Sequence, residues 1–103
     1  MATVQDLLNE FRAEIGADFV STDVVGMDGL SIAGMSADPN FDGSAASARF
    51  AMVMKLASKV ADKIEMGDVD DTLTTTDVAY IITRFLGDGS YYWGVAVTRE
   101  ATL

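Results

Sequence analysis

The sequence contains neither cysteine nor histidine. Their absence removes disulfides, thiol nucleophiles, Cys or His ligands for zinc, and every Ser-His-Asp or Cys-His pair, so most hydrolytic mechanisms are closed to the chain. Basic residues are also scarce: seven Lys and Arg stand against sixteen Asp and Glu, a formal net charge of −9. Nucleic-acid backbones and anionic membrane surfaces attract clustered cations, so neither is an expected partner. No apolar run approaches the ~18 residues of a membrane span. Met1 to Gly16 interleaves Asp6, Glu10, Arg12 and Glu14 with apolar positions, unlike the basic start and unbroken apolar run of a secretory signal. Together with the missing cysteines this predicts a cytoplasmic protein.

What the chain does have is apolar surface. Half of its 103 residues are hydrophobic and 9% are aromatic, the composition of a folded chain. Residues 1–103 are expected to form one domain with one core, because domains near this size bury roughly two thirds of their unfolded surface.

Thr3 followed by Asp6 marks a helix start, Val4, Leu7, Leu8, Phe11 and Ile15 share one face, and Gly16 is a stop. Phe19 to Met27 and Leu30 to Met35 are β-branched and apolar, and Asp28-Gly29 between them offers the φ > 0 pair of a tight hairpin. Ser36 to Gly43, containing Asp38-Pro39-Asn40, is a polar loop in which Asp42 or Ser44 caps a second helix, Ser44 to Met66, ended by Gly67. Three strands follow: Val69 to Thr76, Val78 to Leu86 and, beyond the turn Gly87-Asp88-Gly89-Ser90, Tyr91 to Thr98. The order α-β-β-α-β-β-β predicts an α+β fold, a five-stranded antiparallel sheet with a helix on each face. Tyr80 and Ile82 against Ile81 and Phe85 predict that both faces of the sheet are covered. Tyr91 and Trp93 fall on one face and Tyr92 on the other, as packing residues.

The second helix is the most informative element. Ala46, Phe50, Val53, Met54, Ala57, Val60, Ala61 and Ile64 repeat at i, i+3, i+4 and i+7, the stripe of a core-facing helix. Ala45, Met52 and Leu56 form a second apolar strip beside it, so the apolar arc spans roughly 200° where a surface helix needs ~100°. Ser47, Ser58, Asp62 and Glu65 occupy the wet side. Either the helix is sunk between sheet and loop, or Met52 and Leu56 are covered by another chain. Lys55, Lys59 and Lys63 recur at i, i+4, i+8 in an otherwise acidic protein, a solvated face or a docking edge for an acidic surface. Val69 to Thr76 is the most polar strand and belongs at an edge, either blunted by the charges of Asp70 and Asp71 or, in the absence of Pro and Lys, open to pairing with a second copy.

No motif for chemistry survives inspection. Asp68, Asp70 and Asp71 suggest a calcium loop, but Leu73 stands where glycine is required and Ala79 where glutamate is. Asp70 and Asp71 are adjacent on a strand and point to opposite faces, which separates them as an acid–base pair. Gly87 and Gly89 do not complete G-x-G-x-x-G, and no G-x-x-x-x-G-K-[ST] occurs. Catalytic residues, cofactors and metals are therefore not expected.

Nearly the whole chain resembles the Roadblock/LC7 family. The matching residues are Val25-Gly26-Met27-Asp28-Gly29-Leu30-Ser31-Ile32 for the hairpin, Ser44 to Met66 for a long Ala-rich helix, and Tyr80-Ile81-Ile82 with Leu86-Gly87-Asp88-Gly89-Ser90-Tyr91-Tyr92 for the closing meander. Each piece is degenerate alone; their order and spacing are specific. The resemblance implies a profilin-like layered fold and a homodimer, or a heterodimer with a relative, in which the third strand pairs with its twin while the second helices pack antiparallel. Its interface is then Met52, Leu56, Val69, Asp71, Leu73 and Thr75. It further implies a non-enzymatic platform or regulator for a small Ras-like GTPase, some members promoting GTP hydrolysis and others serving as dynein light chains. Likeness to bacterial gliding-motility regulators places the GTPase on Arg49, Met52, Lys55, Leu56, Lys59 and Lys63. Family members continue into a C-terminal helix, whereas this chain stops at Arg99-Glu100-Ala101-Thr102-Leu103.

A second reading, a small-molecule sensor, places a ligand between sheet and helix, with Met27, Met35, Met52, Met54 and the Tyr91 to Trp93 cluster lining an adaptable pocket.

Overall fold

The computed structural model describes residues 3–101. Helix α1, Val4–Ile15, starts on a reciprocal cap: the Asp6 N–H donates to the Thr3 hydroxyl (3.1 Å) and the Thr3 N–H to the Asp6 carboxylate (3.0 Å). A short 3-10 turn, Gly16–Asp18, leads into β1 (Phe19–Gly26) and β2 (Ser31–Ser36). Then come α2 (Gly43–Lys63), β3 (Asp71–Thr75), β4 (Ala79–Leu86) and β5 (Tyr91–Thr98). Of the C-terminal stretch Arg99 to Leu103, residues 102 and 103 lie outside the described set, as does Met1 at the other end.

The five strands form one antiparallel sheet in the order β2-β1-β5-β4-β3. β2 and β3 are therefore at opposite edges, and α2, which joins them, has to carry the chain across the whole sheet. Crossing five strands takes roughly 19 Å at ~4.8 Å per gap. A helix of 21 residues is roughly 31 Å long, enough to span the sheet with a margin.

The β1–β2 turn differs from the expected pair of positive φ angles. Only Gly29 adopts one (φ 90°); its N–H donates to the Gly26 carbonyl (2.8 Å), and the Gly26 N–H donates to the Leu30 carbonyl (2.9 Å). This is a turn followed by a left-handed glycine. Asp28 serves instead through its side chain, which accepts from the Leu30 N–H at 3.0 Å.

Alternation along β5 sends neighbouring aromatics to different helices. Trp93 meets Phe11 of α1 edge-on at 5.0 Å, next to Leu8, which is buried. Tyr92 packs into a core with Val25, Ala51 and Met54 beneath α2. The Tyr92 hydroxyl donates to the Ser47 carbonyl at 2.6 Å, and Thr83 donates to the Met54 sulfur at 2.9 Å.

Helix α2 sits on the sheet through a different face from the one its apolar periodicity predicts. Ser47, Ala51 and Met54 are buried, Phe50, Ala57, Ser58 and Ala61 are half-buried, and Val53, Val60 and Ile64 are exposed. The helix is turned by roughly 60° about its axis, at 100° per residue. Apolar periodicity treats serine as a wet residue; here the Ser47 hydroxyl has a partner on the sheet, the Asp23 carboxylate, and draws its own face inward.

Asp42 is the N-cap, accepting from the Ala45 N–H at 3.1 Å. At the other end the helix stops at Lys63 rather than running to Met66. The Met66 N–H donates to the Ala61 carbonyl (2.9 Å) and the Glu65 N–H to the Asp62 carbonyl (3.1 Å), a Schellman pair. The left-handed position of that motif is held by Glu65 at φ 58°. A side chain there costs roughly 1–2 kcal/mol relative to glycine. Glu65→Gly is expected to stabilise the fold by about 1 kcal/mol, raising the melting midpoint by roughly 4–8 °C in a domain of this size. Thermal unfolding followed by circular dichroism measures it.

Candidate functional site

The rotation of α2 decides which surface is left open. Met52 (69% exposed), Leu56 (62%) and Ile64 (58%) lie in one apolar strip with Val53 and Val60. The sequence leaves only Met52 and Leu56 without cover; the structure adds three residues whose periodicity points to the sheet. Arg49 and Lys63 lie within this strip and Lys59 and Lys55 along its outer border, all exposed. Among the described residues none of these four cations makes an ion pair.

β3, which follows α2 in the chain, forms the opposite edge of the sheet from β2. Among the described residues β3 pairs with β4 alone, Asp71 opposite Arg84 and Thr75 opposite Tyr80. The other sheet edge, β2, is partly guarded by α1, whose Gln5 amide donates to the Gly34 carbonyl at 3.4 Å. The Asp71–Arg84 ion pair (3.0 Å) is largely exposed, so it contributes at most about 1 kcal/mol and does not obstruct the backbone edge.

The six residues expected at a dimer interface do not form one patch. Met52 and Leu56 are on α2, whereas Asp71, Leu73 and Thr75 share the face of Trp93, to which they are linked through Arg84, Ile82 and Tyr80 of β4. Thr72 and Thr74 face α2 instead, and Thr72 lies 3.8 Å from the Met54 sulfur. Val69 precedes β3, half-buried, and is not part of the strand.

Coverage of the sheet is uneven. Both helices pack chiefly on β1 and β2, so Tyr80, Ile81, Ile82 and Phe85 of β4 are only half-buried and Leu73 is exposed. The expected full cover on both faces is realised over one half of the sheet. On the α2 side Ala79, Ile81 and Thr83 of β4 join β1, β2 and β5 as the wall of a cavity of about 660 Å3, which extends under the N-terminal half of α2 and the loop before it. Of the residues expected to line a sensor pocket, Met35 and Tyr92 do so. Met54 is sealed in the core, Met52 points to solvent, and Trp93 faces α1.

Asp23, on the floor of this cavity, was invisible to motif analysis. It stands opposite Gly34 on β2 and Gly94 on β5, and Thr83 follows in the same row. A Cβ on Gly94 would lie 2.7 Å from Asp23 Oδ1, and one on Gly34 3.1 Å from Asp23 Cβ. Both glycines keep space for the carboxylate; glycine inside a strand was the available signal. Burial raises the Asp23 pKa above the ordinary carboxylate range, and the Ser47 hydrogen bond offsets part of that rise. Tyr92 is pushed well up, by burial first and then by the Asp23 charge. Among the described residues no cluster of carboxylates is arranged to hold a metal ion.

Because the folded pKa of Asp23 is raised, folding favours its protonated form. The penalty is absent below the unfolded value of 3.8 and grows as pH climbs from there through the folded value, above which it is constant. Asp23→Asn is expected to lack this component: its stability advantage over the parent should increase across that window. Urea unfolding of both proteins between pH 3 and 8 tests the sign.

No protein-family model matches the chain, and no curated protein matches it either. Solved structures do. A Roadblock/LC7 domain from Streptomyces avermitilis superposes with a TM-score of 0.84 at 19% identity, covering 98% of this chain and 82% of that one. The gliding protein MglB of Thermus thermophilus gives 0.81 at 11% identity, with 99% and 79% covered. An MglB in a tetrameric arrangement gives 0.83 at 12% identity, with 100% and 79% covered. Superposition over nearly the whole chain at identities below 20% makes the conclusion one of architecture: the chain has the Roadblock/LC7 fold.

Proposed function

We propose that the protein is a homodimeric, non-enzymatic scaffold and regulator of a small Ras-like GTPase, acting in the cytoplasm. One observation carries the reading: α2 presents an exposed apolar strip that carries four cations, two within it and two along its border, and among the described residues β3 leaves an unpaired strand edge, in a protein whose net charge is −9. Exposed apolar strips of this kind mark interaction surfaces. The MglB found in a tetrameric arrangement supports self-association as a property this fold allows.

The strip is wide enough to serve two partners. Val53, Val60 and Ile64, on the side nearest the uncovered half of the sheet, meet the twin helix, while β3 pairs with its twin through Asp71, Leu73 and Thr75, flanked by Val69. Arg49, Lys55, Lys59 and Lys63 turn outward to the GTPase, with Met52 and Leu56 on the dividing line. A basic border on an acidic protein favours an acidic partner surface and excludes a second basic one by like-charge repulsion.

Light scattering at micromolar concentration is expected to give twice the 11.0 kDa chain mass, and Val60→Asp combined with Ile64→Asp to give the monomer. A monomeric parent protein would sink the dimer. Binding is measured with Ras-like GTPases from the same genome, loaded with GDP or a GTP analogue. Lys59→Glu with Lys63→Glu is expected to slow association roughly tenfold at low salt and leave the melting midpoint unchanged. No binding in either nucleotide state overturns the GTPase assignment.

A further inference from the structure

We propose that the cavity beneath α2 binds a small organic monocation, an amine or amidine on an apolar body, anchored by the Asp23 carboxylate. At about 660 Å3 the cavity falls within the range of small-molecule sites. Its walls are apolar where they meet the helix and the uncovered strands, with Phe41, Phe50, Val78, Ile81 and Ala96. The charged residues that line it are Asp23 and Asp38, both acidic; none of the chain's seven basic residues does.

The floor is built around the carboxylate. Gly34 and Gly94 flank Asp23 on the two neighbouring strands, and a side chain at 94 would occupy the space against Oδ1. Ser47 donates to Oδ2; among the described residues Oδ1 accepts no hydrogen bond. A carboxylate has about four acceptor sites, and Oδ1, without a protein partner among the described residues and not sealed from solvent, opens on the cavity. The protein supplies one hydroxyl and no cation there. A ligand ammonium or amidinium on Oδ1 completes the shell, and its apolar body covers Phe50 and Ile81. The anchor excludes anions, and the absence of a basic residue excludes phosphate esters and carboxylates as the recognised group.

The residues that line the cavity are distinct from those assigned to the partner surfaces. None of Met52, Leu56, Val69, Asp71, Leu73 and Thr75 lines the cavity, nor do Arg49, Lys55, Lys59 and Lys63. Occupancy would still bear on α2, because Ser47 and Phe50 belong to the helix that carries the exposed strip.

The probes are phenethylamine and tryptamine, with 2-phenylethanol as the neutral isostere and 3-phenylpropionate as the anion, titrated calorimetrically into the full chain. The amines are expected to bind and raise the melting midpoint, the alcohol at least about tenfold more weakly, the worth of one charge-assisted hydrogen bond, and the anion not at all. Asp23→Asn should lose the amine preference with an unchanged fold by circular dichroism, while Asp38→Asn keeps it. Should Asp23→Asn fail to fold, Gly94→Ala, which crowds Oδ1, provides the second variant and should weaken amine binding by a similar factor. Equal binding of amine and alcohol, undiminished amine binding in both Asp23→Asn and Gly94→Ala, or no amine binding at about 10 mM concentration overturns the proposal. Light scattering on the same samples reports separately on the dimer.

Discussion

The structure depends on one topological demand: β2 and β3 follow each other in the chain yet occupy opposite edges of the sheet, so a single helix has to bridge them. A crossover of that length cannot bury its whole circumference. It is seated by Ser47 on Asp23, by Ala51, and by Met54 among Thr83, Val25 and Tyr92. Everything else about the functional surface is left by that seating. The outward strip is what the seat does not use, the cavity is the gap left between the sheet, the N-terminal half of the helix and the loop before it, and β3 is free because the chain returns there with no later element beside it among the described residues.

The elements were legible in the sequence because their signals are local. Thr3 with Asp6 specifies a cap, Asp38-Pro39-Asn40 a loop, and the polar β3 an edge, each readable within a few residues. The phase of α2 was not legible, and the reason is physical. Hydrophobic periodicity averages over a face, but the seat is set by a long-range pair, Ser47 with Asp23, that inverts the usual sorting of polar residues outward. The same pair hid Asp23, since a lone aspartate in a strand has no motif. The end of the helix was misplaced because glycine is the common left-handed stop, and here Glu65 adopts that conformation ahead of Gly67.

Asp23 and its glycines run against stability. A carboxylate within a sheet loses hydration, and two interior glycines forgo side-chain packing and β propensity. A leucine or valine with alanine neighbours would fill the row with apolar contacts. Local conflicts of this kind between sequence and fold mark positions that serve more than packing, and here three of them converge on one cavity floor.

Four of the chain's seven cations, Arg49, Lys55, Lys59 and Lys63, stand on the exposed side of one helix, while the other three are dispersed against sixteen carboxylates. Positive charge is consequently concentrated on one helix of a protein that is a net anion. A charged body approaching within the screening length, about 8–10 Å at physiological salt, experiences a torque before any side chain makes contact. Orientation is thus selected in solution, and at higher ionic strength the same surface would have to be found by random collision.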